Sequence, residues 1–183
     1  MAMETIDNLS AARFLMAFSL GFHMIFAALG VGMPVLMLIA EGLWLRFHKP
    51  YLLALARTWA KATGILFAIG AVSGTALSFE LGLLWPAFME RFGHVIGPAF
   101  TLEAFAFFIE AIFLALYLYG WDRLPPLAHW LTGIPVALGS AASSVLVVAS
   151  NAWMQNPIGA ELLNSNPEAL TPLQALFYNP AWR

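Results

Sequence analysis

The sequence has 183 residues, of which 61% are hydrophobic and 10% charged. That leaves too little polar surface for a water-soluble domain, in which about a quarter of residues carry charge. A net charge of −2 at pH 7 gives no basis for nucleic-acid binding. The absence of cysteine excludes disulfides and thiolate-held zinc or iron–sulfur clusters, so any metal must rest on His, Met or carboxylate.

Residues 1–10 carry Glu4 and Asp7 and lack a basic stretch, so no cleavable signal peptide is expected. Four apolar segments follow: Ala12 to Leu45, Leu55 to Leu84, Pro98 to Tyr119 and Leu127 to Val148. Each exceeds the roughly 20 residues that cross a hydrocarbon core. Backbone groups in lipid must be bonded within the segment, so helices are expected. The fold class is therefore all-α, a polytopic transmembrane bundle of four helices over residues 1–152.

The breaks are His48-Lys49-Pro50, the stretch from Trp85-Pro86 to Gly97-Pro98, and Trp121-Asp122-Arg123 with Pro125-Pro126. Trp44, Tyr51, Trp85, Tyr119 and Trp121 fit interfacial belts. Arg46, Lys49, Arg57 and Lys61 surround the first break and Arg123 marks the third, against Arg91 alone in the second. The positive-inside rule then makes the first and third loops cytoplasmic and the N-terminus periplasmic. Residues 153–183 form an external segment with Pro157, Pro167, Pro172 and Pro180, and a short helix is expected over Pro172–Phe177.

Ionisable residues inside apolar segments cost at least ~2.5 kcal/mol each on insertion scales, so they face protein, cofactor or water. His23, deep in the first segment, either ligates iron or bonds a neighbouring helix. Glu103 and Glu110, seven residues apart, project from nearly one face of the third helix. They form either a proton relay or a pair of structural acids. Glu80 is read as an interfacial residue, and Glu41 as solvated or paired with Arg46. Arg13 either snorkels to headgroups or pairs with an acid or a propionate. Asp122 is an ion-pair partner of Arg123 or a collector of protons. Ser140, Ser143 and Ser144 are packing residues or hydroxyls along a proton chain between Asp122 and Glu110. Met16, Met24, Met33 and Met37 are read as packing residues.

Four stretches together resemble subunit I of the cytochrome bd-type quinol oxidases, in its N-terminal part. They are Phe22-His23-Met24-Ile25-Phe26, the run GPAFTLEAFAFFIE from Gly97 to Glu110, Gly120-Trp121-Asp122-Arg123-Leu124, and Asn151-Ala152-Trp153-Met154-Gln155-Asn156-Pro157. The resemblance covers nearly the whole chain. It implies reduction of dioxygen to water by quinol, with haem b and haem d, or haem b alone, as cofactors. His23 then matches a histidine ligand of a high-spin haem, either of two. Glu103 matches the acid beside the oxygen-binding haem and is a second candidate for the iron. Glu110 matches the next acid on the proton route, Ser143 a hydroxyl along it, and Asp122 the acid at its cytoplasmic mouth. Arg13 matches an arginine of the haem-cluster environment. Two departures stand out. The glutamates are seven rather than eight residues apart. Ser78-Phe79-Glu80-Leu81-Gly82 replaces an acid followed by Phe-Gln-Phe-Gly, as in the cyanide-insensitive branch.

Members of that family run to about nine helices. The chain is thus expected to be a fragment ending before the fifth helix, inactive alone. The low-spin haem ligands and the quinol site are expected beyond Arg183. Expected partners are subunit II, a small membrane subunit, quinol, dioxygen and lipid, with no nucleic acid, in the bacterial cytoplasmic (inner) membrane. A proton- or cation-coupled transporter explains the two glutamates but not His23. A structural subunit with no site of its own explains neither.

Overall fold

A computed structural model describes residues 7–160 and 171–181. Glu4, Pro167 and Arg183 lie outside them. The described residues hold five helices: α1 (Asn8–Phe47), α2 (Pro50–Leu84), α3 (Pro86–Gly120), α4 (Pro126–Gln155) and the short α5 (Pro172–Phe177). The first four are each long and apolar enough to cross a membrane, so the chain is an integral membrane protein. Large apolar side chains on their outer faces stay uncovered, among them Phe14, Val72 and Leu83. Lipid solvates such side chains and water does not.

Proline sets where the helices begin. Pro50, Pro86, Pro126 and Pro172 each lie in the first turn of a helix, where the missing N–H was an orphan donor anyway. The α1–α2 turn is only His48-Lys49, with His48 in the left-handed region at φ 53° and its N–H donating to the Trp44 carbonyl. A single residue, Trp85, separates α2 from α3. The expected loop from Pro86 to Pro98 is therefore helical. Its apolar residues explain why: Val95, Ile96 and Ala99 bury against Ala149 and Trp153 of α4 and Ala175 and Leu176 of α5, with Phe88 and Phe92 beside them. That packing outweighs the backbone bond lost at Pro98. For the same reason α4 runs past Val148 to Gln155, with Ala149, Ala152 and Trp153 buried. The short helix lies where the sequence placed it.

α1 packs chiefly on α2 and α3 on α4, and α1 also meets α4. Two apolar cores result. One is the α3–α4–α5 cluster just described. The other joins Met37, Ala60, Leu114, Tyr117 and Val136 near the opposite end. Arg57 of α2 reaches Asp122 beyond α3 at 3.1 Å, which places the first and third loops at the same end of the bundle.

Candidate functional site

The polar side chains that sequence placed inside the bundle gather on facing helices. His23 is half-buried on α1, and its Nδ1 lies 2.9 Å from Ser73 Oγ on α2. The Ser73 hydroxyl has one proton, already directed at the Ile69 carbonyl (2.8 Å) and more distantly at Gly70 (3.2 Å). The same oxygen meets His23 Nδ1, which orients the ring and leaves Nε2 with no hydrogen-bond partner among the described residues. Gly74 makes room for the ring. A Cβ there would lie 3.0 Å from His23 Cε1.

One turn before His23, Ser19 donates to Glu80 Oε1 at 2.6 Å. The other carboxyl oxygen, Oε2, is buried with no hydrogen-bond partner among the described residues. Glu80 therefore points at α1 and not at the interface, contrary to the sequence reading. The cause is the small hydroxyl of Ser19 opposite it, which offers a proton.

Glu103 and Glu110 both face the interior. Glu103 is half-buried and accepts from Ser143 Oγ of α4 at 2.8 Å. It is also near enough to His23 and Glu110 to act on both electrostatically. Glu110 is 7% exposed. Its neighbours on α4 are Ser140 and Gly139, where a Cβ would lie 3.2 Å from Glu110 Cβ. Ser143 therefore partners Glu103, whereas the Ser140 hydroxyl donates to the Gly30 carbonyl of α1 at 3.3 Å.

Two expected site residues stand apart. Arg13 is exposed, roughly 15 Å along the α1 axis from His23. Asp122 is exposed and paired with Arg57, not with Arg123. It lies about 18 Å along the α3 direction from Glu110. The interior of the bundle near that end is occupied by a group the sequence reading missed. Glu41, expected to be solvated or paired with Arg46, is fully buried. It accepts from Tyr117 OH at 2.5 Å, and its Oε1 lies 2.7 Å from His129 Nδ1. The available signal was an acid in an apolar helix with no cation one turn away, and a histidine near the same end of α4. Among the described residues no group of three or more His, Asp or Glu forms a metal centre.

A family model described as cytochrome bd terminal oxidase subunit I matches residues 11–183. Cytochrome bd ubiquinol oxidase subunit 1 of Bacillus subtilis (strain 168) is 34% identical over 176 residues, 96% of this chain and 37% of that protein. Cytochrome bd-II ubiquinol oxidase subunit 1 of Escherichia coli (strain K12) is 31% identical over 176 residues, 95% of this chain and 34% of that protein. The structure of bd oxidase from Geobacillus thermodenitrificans matches with a TM-score of 0.89 and 42% identity, over 98% of this chain and 42% of that one. The chain spans between about a third and two fifths of the length of these relatives.

Proposed function

Because the chain belongs to the cytochrome bd terminal oxidase subunit I family, we propose that it contributes four membrane helices to a quinol oxidase that reduces dioxygen to water. Protons are taken from the cytoplasmic side, where the Lys and Arg residues of the first and third loops lie, and the N-terminus is periplasmic. A second membrane subunit and quinol complete the enzyme, in a bacterial inner membrane.

The observation that carries this reading is the placement of His23: inside the bundle, Nδ1 is tied to Ser73 while Nε2 meets no hydrogen-bond partner among the described residues. A metal-bound histidine is arranged in this way, with one ring nitrogen oriented by an outer partner and the other left for the metal. The surroundings also fit such a group. Gly74 lets the ring lie close against α2, and the unpartnered Glu80 oxygen and the Glu103 carboxylate are polar groups in the same half of the bundle. His23 would hold a high-spin haem, b or d in type, and Arg13 would answer its propionates from the periplasmic side. When bound, that haem supplies the electron transfer to dioxygen.

The chain's own residues handle the protons. Glu103 and Glu110 hold them in the interior. Ser143 of α4 serves Glu103 with a hydroxyl that can donate to a carboxylate or accept from a carboxylic acid. Ser140 lies beside Glu110, with its hydroxyl directed at the Gly30 carbonyl. Asp122, at the cytoplasmic end, collects protons from water. Charge separation follows from geometry: electrons come from quinol on one side and protons from the other.

The test is a reduced-minus-oxidised spectrum of the purified enzyme with quinol-driven oxygen consumption. His23→Ala is expected to remove one high-spin haem signal. An unchanged spectrum rejects the ligand assignment. Absence of any haem signal in the unsubstituted enzyme rejects the oxidase reading in favour of a proton-coupled transporter.

A further inference from the structure

The buried group at the cytoplasmic end has no place in the route just described, yet its donors and acceptors define it closely. Glu41, His129 and Tyr117 come from α1, α4 and α3 and are 0%, 2% and 0% exposed. His129 Nε2 meets the Tyr117 backbone carbonyl at 2.8 Å. A carbonyl only accepts, so Nε2 carries a proton. Tyr117 OH donates to Glu41 Oε2. One link remains, Nδ1 to Oε1 at 2.7 Å, and it holds one more proton. Whether that proton sits on the imidazole or on the carboxyl, the pair is neutral in sum. This is what allows two titratable groups to be buried together.

The imidazole is also the floor of an aromatic stack. Trp121 lies on His129 with ring centroids 4.0 Å apart and meets the edge of Tyr117 at 5.2 Å. The Arg57 guanidinium lies over the Trp121 ring, 5.2 Å from its centroid. Arg57 then pairs with Asp122 at 3.1 Å. A continuous set of contacts thus runs from a locked imidazole to the exposed carboxylate. Arg57 and Asp122 are both well exposed, with side chains 44% and 86% accessible. An exposed pair holds its geometry weakly by itself. The stack gives the guanidinium a fixed face to rest on.

We propose that Glu41, His129 and Tyr117 form a proton-sharing positioning unit that, through Trp121, holds Arg57 against Asp122 and so sets the geometry of the proton mouth. The unit acts through other residues and touches no substrate. The proposal rests on the reading of Asp122 as the cytoplasmic collector, and the experiment separates the two.

The complete oxidase, purified with its partner subunit, is assayed for quinol-driven oxygen consumption per haem. Trp121→Ala removes the stack, together with some packing on the neighbouring apolar core, and none of the hydrogen-bonding groups of Glu41, His129 and Tyr117. His129→Gln keeps a donor for Glu41 and removes the ring. Each is expected to lower the rate about tenfold, since small misplacements near a reacting group cost that much or more. Trp121→Phe retains a face for both neighbours and is expected to stay within about twofold. In an Asp122→Asn background the same substitutions are expected to cost less than about twofold more, because coupled residues are not additive. Losses that multiply in that background, or a full rate for Trp121→Ala, overturn the positioning role and leave the Asp122 assignment standing. A full rate for Asp122→Asn itself overturns both. Infrared difference spectra of Glu41→Gln against wild type are expected to lose carboxyl and imidazole bands together. A carboxyl change with no imidazole change overturns the shared proton.

Discussion

His23 Nδ1 meets Ser73 Oγ across 2.9 Å, and that oxygen lies 2.8 Å from the Ile69 carbonyl of its own helix. The contact therefore ties the orientation of the ring to the α2 backbone. Ser73→Ala removes it without touching Nε2. Loss of such an outer partner typically weakens a metal site by about 10–100-fold. The enzyme is expected to lose high-spin haem by that order during detergent washing, while Ser73→Thr keeps it. Full haem retention in Ser73→Ala would mean that the ring is held by something else.

Glycine at position 74 is a matter of space. An added Cβ would approach His23 Cε1 to 3.0 Å and Nδ1 and Nε2 to 3.7 Å, so Gly74→Ala must turn or tilt the ring. Gly82 lies two turns further along α2 with nothing within 4 Å of such an atom. Gly82→Ala is expected to leave the spectrum unchanged and, by helix propensity, to be neutral or stabilising by up to about 1 kcal/mol. Gly74→Ala is expected to shift or lose the high-spin signal. Equal spectra for the two variants would show that no group is held at this ring.

The carboxyls of α3 differ in their surroundings. Glu110 is buried against Gly139 and Ser140, whereas Glu103 is half-buried and tied to Ser143. Removing a positioned proton-transfer group costs about 10²–10⁴-fold in rate. Glu110→Gln retains shape and hydrogen bonding but not the titratable carboxyl. It is expected to slow oxygen consumption by at least the lower figure with haem content intact. Ser143→Ala leaves both carboxyls in place and is expected to cost less. Oxygen consumption per haem measures both. An unslowed Glu110→Gln would remove that residue from the route.

Much of this arrangement was legible before any coordinates. Four apolar runs fixed four helices because lipid leaves the backbone no other solution. His23, Glu103 and Glu110 declared themselves as titratable groups in those runs. Other features were hidden because they depend on neighbours distant in sequence. The helix from Pro86 to Pro98 exists because Phe92, Val95 and Ile96 find Trp153 and Leu176. Glu80 could be read as interfacial until Ser19 was seen across from it, 61 positions earlier. His129 is 88 residues from Glu41 and carries no local mark of its partner. Helix periodicity tells which face a residue shares, but not which residue of another helix it meets.

The Glu41–His129 pair makes the sharpest stability prediction. Breaking a buried charge pair on one side leaves the other partner uncompensated, at about 3–5 kcal/mol. Glu41→Leu strands both His129 Nδ1 and the Tyr117 hydroxyl, and His129→Leu takes the partner from Glu41 Oε1 and one donor from the Tyr117 carbonyl. Replacing both partners by leucine removes the desolvation penalty along with the bond. The double variant is therefore expected to be more stable than the sum of the single losses, by about 0.5–3 kcal/mol of coupling. Tyr117→Phe removes one donor to Glu41 and keeps the ring packing on Trp121, so it is expected to cost about 1–3 kcal/mol. Thermal unfolding of the purified protein, followed by helix circular dichroism, measures all four. Strictly additive losses for Glu41→Leu and His129→Leu would show that the two side chains are stabilised separately, with no proton held between them.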